Sequence, residues 1–318
     1  MEKLTAIINP VSGTASKKHI PELLDQYIPS DKFERKIFFT EYRGHAFELA
    51  CRAVLDKTDY IIVFGGDGTI NEVARALVES STVLGIVPMG SGNGLARDLA
   101  IPMDSRKALE VIFERNIRTI DYCKANNRIF FCTCGVGFDA SVSERFDKRK
   151  RRGPLSYMRS VVAEYLRFKP DTYDIVIENE VLSRKAFLVT CANASQYGNN
   201  AYIAPLADMN DGMMDIAILS PFSPFDVGHL LVQMFTKRMT KNRKIQYYRS
   251  KKLTLKRAKP GIVHIDGEPV SMEKTISFEA FHNGLNVIVP NDPAPPVYSV
   301  ASFFKNLSYW WKKQNNEK

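Results

Sequence analysis

No pair of cysteines in this chain has the CxxC spacing, and their number is odd: Cys51, Cys123, Cys132, Cys134 and Cys191. A disulfide framework or a thiolate zinc site is therefore not expected, and a reducing, cytoplasmic compartment fits best. The five histidines stand singly, without HExxH or a similar ligand spacing. No apolar run approaches the ~18 residues of a membrane-spanning helix. The opening stretch, MEKLTAIINP, has too few apolar residues for a signal h-region and reads as a strand. GxxxxGK[ST] is missing, which excludes a P-loop nucleotide site. Internal repeats and long low-complexity linkers are missing too.

What is present fits a two-domain globular protein. At 318 residues the chain exceeds one comfortable core, and its apolar fraction of 45% and charged fraction of 25% are ordinary. A formal net charge of +9 is either plain solubility or a preference for an anionic partner such as nucleic acid, a phosphorylated ligand or an acidic membrane.

Residues 1–122 alternate β-rich runs with helical patterns. Strands are expected at Leu4–Asn9, Phe33–Thr40, Tyr60–Phe64 and Val83–Val87, and helices near Lys17–Tyr27, Gly44–Leu55, Thr69–Glu79 and Ser105–Glu114. In the third helix Ile70, Val73, Ala74 and Leu77 recur at i, i+3, i+4, i+7 and define one buried face. Such alternation implies an α/β domain with a parallel sheet covered by helices, its ligands beyond the carboxyl ends of the strands. Residues 123–290 are β-rich, with strands expected at Ile129–Cys134, Asp174–Glu178, Ala186–Ala192, Asp215–Leu219, Lys252–Leu255, Thr275–Phe281 and Leu285–Val289. Helical stretches near Leu155–Phe168 and Pro224–Phe235 interrupt them. The end, residues 291–318, is proline-rich and then mixes aromatics with lysines over 302–313, where Trp310 and Trp311 lie. That composition suits either a membrane interface or a terminal helix packing back on the first domain.

The chemistry concentrates in glycine-rich loops. Tyr60-Ile-Ile-Val-Phe-Gly-Gly-Asp-Gly-Thr-Ile-Asn-Glu72 runs an apolar strand into Gly65, Gly66, Asp67, Gly68 and Thr69, then straight into a helix carrying Asn71 and Glu72. Glycines allow close backbone approach to a ligand, and the helix start offers unpaired amides to phosphate. A carboxylate at Asp67 repels phosphate unless a divalent cation or a hydroxyl proton intervenes, which suits phosphoryl transfer with Mg²⁺. The loop Asn9, Pro10, Val11, Ser12, Gly13 adds a second small-residue bend. Gly90, Ser91, Gly92, Asn93 and Gly94 add a third, whose spacing is wrong for a dinucleotide fingerprint. In the second domain Asp208, Asn210, Asp211 and Asp215 crowd one turn, which serves either a hard cation or merely a solvated bend. His264-Ile-Asp-Gly-Glu-Pro269 puts Asp266 and Glu268 at another turn, where either could accept a hydroxyl proton.

Taken together these strings resemble the diacylglycerol kinase catalytic-domain family, which includes bacterial lipid kinases and sphingosine kinases. NPVSG at Asn9–Gly13, Thr40 before Gly44 and His45, GGDGTINE at Gly65–Glu72, GSGN at Gly90–Asn93, NDGMMD and DGEP at Asp266–Pro269 stand in family order from residue 9 to about 290. GGDGT alone is shared with NAD kinases; GSGN and DGE favour the lipid kinases. The resemblance implies an N-terminal nucleotide domain, a C-terminal β-sandwich, and ATP held at Asn9–Gly13, Thr40, Gly65–Glu72 and Gly90–Asn93. It implies a structural Mg²⁺ at Asp211 with Asp208 and Met213. Glu268 is expected as proton acceptor with Asp67 organising metal and phosphate, the reverse assignment being the sphingosine kinase pattern. Ser91 replaces the threonine common in bacterial members and keeps the hydroxyl. The substrate implied is a membrane lipid. The basic run Lys148-Arg-Lys-Arg-Arg152 and the 302–313 tail would then meet an anionic membrane surface. Nucleic acid is not expected, since no aromatics interleave that run; a homodimer is compatible with the sequence. The rival functions are an NAD kinase-like small-molecule kinase and a non-catalytic lipid-binding protein.

Overall fold

Parallel strands buried on both faces must be apolar throughout, and the first quarter of the chain has such segments. The computed structural model describes residues 1–13, 20–27, 33–147, 165, 167–178 and 180–293. Its first compact unit comprises Met1–Tyr122 with Phe281–Pro295, and its second Cys123–Ala280.

In the first unit, β1 (Glu2–Ile8), α1 (Ile20–Tyr27), β2 (Phe33–Phe39), α2 (His45–Leu55), β3 (Tyr60–Gly65), α3 (Asp67–Leu77) and β4 (Val83–Pro88) follow one another. The sheet order is β2-β1-β3-β4, and every pairing is parallel. β1 has β2 on one side and β3 on the other, so the connections diverge there, at the switch point where doubly wound sheets bind ligands. A short α4 (Gly94–Asp98), unforeseen in the sequence, leads to α5 (Ser105–Glu114), whose N-cap Asp104 accepts hydrogen bonds from the amides of Arg106 and Lys107. β5 (Ile117–Ala125) carries the chain onward.

The second unit holds β6 (Arg128–Phe130), β7 (Thr133–Gly137), α6 (Phe138–Asp147), β8 (Asp171–Ile177), β9 (Glu180–Ala186), β10 (Leu188–Ala192) and β11 (Met214–Leu219). Then come α7 (Val227–Phe235), β12 (Ile245–Ser250), β13 (Lys252–Arg257), β14 (Gly261–Ile265), β15 (Glu268–Met272) and β16 (Thr275–Ile288). Six strands, β12-β11-β10-β7-β14-β15, form one antiparallel sheet. The first part of β16 pairs with β13, β13 with β8 and β8 with β9, also antiparallel. Cys134, Val136, Ile216 and Val263 from the first set pack with Ile175, Leu255, Ile276 and Phe278 from the other in one buried cluster, the core of a β-sandwich. Among the described residues no helix is long and apolar enough to cross a membrane.

Two expectations need correction. The strand expected at Ile129–Cys134 is two strands, because the Asp266 carboxylate accepts the amides of Phe131, Cys132 and Thr133 (2.9, 2.8 and 3.0 Å) and bends the chain there. Thr275–Phe281 and Leu285–Val289 are one strand, β16; Gly284 lies within it because a Cβ there would fall 2.2 Å from the Tyr122 ring. Residues 281–290 return to the first unit: Val287 pairs with Leu84, and Asp121 accepts from His282 (2.8 Å) and the Asn283 amide (2.8 Å). The basic run 148–152, most of the helix expected at Leu155–Phe168 and the tail from 294 lie outside the described residues.

Candidate active site

In the first unit the loops after β1, β2, β3 and β4 all open at the carboxyl ends of their strands. Asn9 continues β1, and its side chain does two jobs. Its Nδ2 donates to Thr69 Oγ1 (2.7 Å) and its Oδ1 accepts the Val11 amide (3.0 Å), so the 9–13 loop is fastened to the first turn of α3. Ser12 Oγ donates to the Asn9 carbonyl (3.1 Å), and Gly13 has φ +64°. Pro10 is exposed. Thr40 extends β2, its amide bonded to the Ile8 carbonyl (2.9 Å), and Glu72 on α3 accepts the Gly44 amide (2.8 Å). The loops after β1 and β2 are thus both tied to α3.

α3 begins on Gly66, which has no side chain to cap it. Its first-turn amides, at Asp67, Gly68 and Thr69, therefore point their N–H groups and the positive end of the helix dipole outward, an arrangement suited to phosphate. Asn71 and Glu72 occupy the next positions of the same helix. The GGDG loop also touches the GSGN loop backbone to backbone. A Cβ on Gly90 would sit 2.7 Å from Gly66 Cα, and one on Gly66 3.2 Å from Gly90 Cα. Only two glycines permit that approach.

Asp67 is turned into this junction. Its Oδ2 accepts the Asn93 amide (2.8 Å) and its Oδ1 the Gly94 amide (2.6 Å), capping α4 from a distance. Gly92 lies so close that a Cβ there would meet Asp67 Oδ2 at 2.8 Å. Asn93 itself is buried in a left-handed conformation (φ 51°) and exchanges hydrogen bonds with Gly90, amide to Oδ1 and Nδ2 to carbonyl, both 2.9 Å. Ser91 is exposed at the loop tip. The sequence left Asp67 either for metal and proton chemistry or for hydrogen-bonding its own loop; the structure shows it also accepting amides of the neighbouring loop. An Asn immediately before a glycine that opens a helix was the available sign of the Asn93 turn.

In the second unit the DGE motif is a two-residue hairpin between β14 and β15, with Asp266 (φ 47°) and Gly267 (φ 85°) both left-handed. Asp266, with three amides on its carboxylate, is committed to the bend before β7. Glu268, the first residue of β15, is half-buried.

The acidic turn 208–215 has its own cation. Arg249 on β12 pairs through Nη2 with Asp211 Oδ2, and its Nε lies 3.7 Å from Asp215 Oδ2. Asp211 Oδ1 accepts the Met213 amide (2.9 Å), and the exposed Asp208 accepts the Asn210 amide (3.1 Å). Burial pushes the Asp215 carboxyl up to about 6. Among the described residues no three His, Cys, Asp or Glu side chains converge as metal ligands. The magnesium ligands expected at Asp208, Asp211 and Met213 lie on this turn, where the Arg249 guanidinium pairs with the Asp211 carboxylate.

A buried polar group went unnoticed in the sequence. Asp139 Oδ2, at the start of α6, meets Thr190 Oγ1 (2.7 Å), Tyr197 OH (3.1 Å) and His264 Nε2 (3.0 Å), joining β10 and β14 behind the DGE hairpin. The four residues come from distant stretches of sequence, and no local pattern announces them.

Comparison with known proteins agrees with this geometry. Residues 3–125 match the family profile of the diacylglycerol kinase catalytic domain, and residues 132–289 that of the YegS C-terminal NAD kinase beta sandwich-like domain. A diacylglycerol kinase of Staphylococcus saprophyticus is 28% identical over 298 residues, spanning 92% of this chain and 97% of that protein. One from Staphylococcus aureus is 29% identical over 299 residues, spanning 92% and 94%. Among solved structures, a diacylglycerol kinase from Bacillus anthracis superposes with a TM-score of 0.70 at 20% identity, covering 92% of this chain and 98% of that one. An NAD kinase from Archaeoglobus fulgidus in complex with ATP gives 0.52 at 12% identity, covering 96% and 98%. At those identities the two structures speak for the fold alone.

Proposed function

Because the chain belongs to the diacylglycerol kinase catalytic-domain family, we propose that it is an ATP-dependent lipid kinase, moving the γ-phosphoryl group of ATP to a hydroxyl of diacylglycerol or a sphingoid-type acceptor. The observation that carries this reading is the side-chain-free junction of Gly66 and Gly90. Close backbone approach there sets the uncapped first turn of α3 beside the GSGN loop, a cradle of amides matched to a chain of phosphates. Asn9 and Thr69 fix the position of the third loop against it.

The protein's contribution to such a transfer is positioning and charge, since the phosphoryl group needs little covalent help. The amides of Asp67, Gly68 and Thr69, with those of Ser91 and Gly92, hold the phosphates, and Asp67 holds the loops by taking the Asn93 and Gly94 amides. Each Asp67 oxygen accepts one amide and keeps a lone pair, so this carboxylate fits a magnesium ion accompanying ATP. Such an ion neutralises phosphate charge. Glu268 takes the proton of the attacking hydroxyl as its oxygen bonds to the γ-phosphorus and the bond to ADP breaks.

The test is a labelled-ATP panel offering diacylglycerol, sphingosine and ceramide in mixed micelles, with NAD alongside. Label in a lipid supports the reading. Label in NAD alone, or nowhere, overturns it. Glu268→Gln is expected to lose roughly 10²–10⁴ in turnover while melting with the native protein; full activity would remove that carboxylate from the reaction.

A further inference from the structure

Resting on the lipid-acceptor reading above, we propose that α7 and the turn leading into it form a docking surface for an anionic lipid bilayer. Phe225 is 96% exposed, in the middle of a 3₁₀ turn at Pro224–Asp226 that runs directly into α7. Phe225, Gly228, His229 and Val232 follow at i, i+3, i+4 and i+7, and all four are exposed; their spacing puts them on one helical stripe. Leu230, Gln233 and Phe235 form the buried side of the helix, with Leu230 packed among Phe187, Leu219, Met239 and Ile245.

The exposed ring is held out rather than loosely placed. Asp226 Oδ2 accepts from the Ser223 amide, Ser223 Oγ and Lys244 Nζ, each at 2.9 Å, which locks the turn. Those donors keep the Asp226 carboxyl low, at about 2, with Lys244 first among them. Phe222, three residues earlier, goes the other way and stacks with Tyr165 at 5.5 Å between ring centres. The same short segment thus sends one phenylalanine inward and fixes the next in solvent.

Charge selects the occupant. α7 is followed by Lys237, Arg238, Lys241 and Arg243, of which Arg238, Lys241 and Arg243 are exposed. The acid of the segment, Asp226, is already neutralised by Lys244. An aromatic wedge beside several cations suits acyl chains below anionic headgroups. A second copy of the chain would bring like charges together, so a self-association interface is disfavoured.

The experiment is co-sedimentation of the full chain with vesicles of phosphatidylcholine alone or mixed with phosphatidylglycerol. The native protein should sediment with the anionic vesicles and release at high salt. Lys241→Glu with Arg243→Glu should weaken that partitioning at least about 25-fold, roughly fivefold for each cation lost. Phe225→Ser with Val232→Ser should weaken it about tenfold or more. Both double variants should keep native turnover on a short-chain diacylglycerol in detergent micelles and lose it on vesicle-borne lipid. Unchanged sedimentation of the charge-reversed variant overturns the proposal. So does a loss of dimer in light scattering with vesicle binding intact. A protein that phosphorylates no lipid yet sediments through these residues would sink the kinase reading and leave the docking surface standing.

Discussion

Replacing Gly90 by alanine probes the loop junction with one added methyl group. The new Cβ falls 2.7 Å from Gly66 Cα and 2.8 Å from Asn93 Oδ1. Neither neighbour is the end of a long flexible side chain, so backbone must move, and carbon–carbon contact at ordinary distance requires the two loops to part by about 0.7 Å. That movement pulls on the Asp67 hydrogen bonds to Asn93 and Gly94, now 2.8 and 2.6 Å. Misplacement by about 1 Å at a reacting centre costs on the order of 10² in rate, so kcat/KM for ATP should fall roughly 30- to 100-fold. Overpacking of this kind costs about 1–3 kcal/mol in stability. The matched control is Gly228→Ala on α7, where an added Cβ meets nothing within 4 Å; it should hold or gain about 0.5–1 kcal/mol and leave micellar turnover alone. Initial rates at varied ATP, with melting curves on the same samples, read both effects. A Gly90→Ala protein with native kcat and KM for ATP would refute the argument that these loops must touch to hold phosphate.

Two other substitutions test the second unit. Asp266→Asn turns one of its two acceptor oxygens into a donor, facing either the Phe131 amide or those of Cys132 and Thr133, at about 1–3 kcal/mol for the unsatisfied groups; an unchanged melting temperature would show that the bend does not depend on the carboxylate. Asp215 has its carboxyl raised by burial to about 6, so the folded chain holds that proton more tightly than the unfolded chain. Stability should therefore decline as pH climbs from about 4 through about 6 and stay level above. Asp215→Asn removes the decline and gains about 1–2 kcal/mol above pH 6, discounted for the nearby Arg249 and for solvent. Parallel melting profiles from pH 4 to 8 for the two proteins would contradict it.

The elements that sequence pattern located are those whose cause is local. β1, β3 and β4 are buried on both faces and had to be apolar runs; the loops that touch at Gly66 and Gly90 needed glycine, and Asp-Gly is the residue pair of a two-residue hairpin. What escaped has a distant cause. α4 is five residues long, too short for any helical period. The break between β6 and β7 is imposed by a carboxylate more than 130 positions away in the chain. Gly284 looked like an interruption because the ring that fills its place belongs to Tyr122. At the candidate site, the glycines and Asp67 were legible as types, whereas the direction of the Asp67 side chain and the Arg249 partner of Asp211 required three-dimensional neighbours.

The single strand β16, whose closing residues complete the first unit, also sets the order of events during synthesis. When Tyr122 leaves the ribosome, the first unit still lacks residues 281–288, which arrive only after the sandwich has been translated. At ordinary elongation rates that wait is on the order of ten to thirty seconds. A nascent chain stopped before Phe281 should therefore present an unfinished sheet edge to chaperones, and a gene fragment ending at Tyr122 is a poor substitute for the unit it encodes.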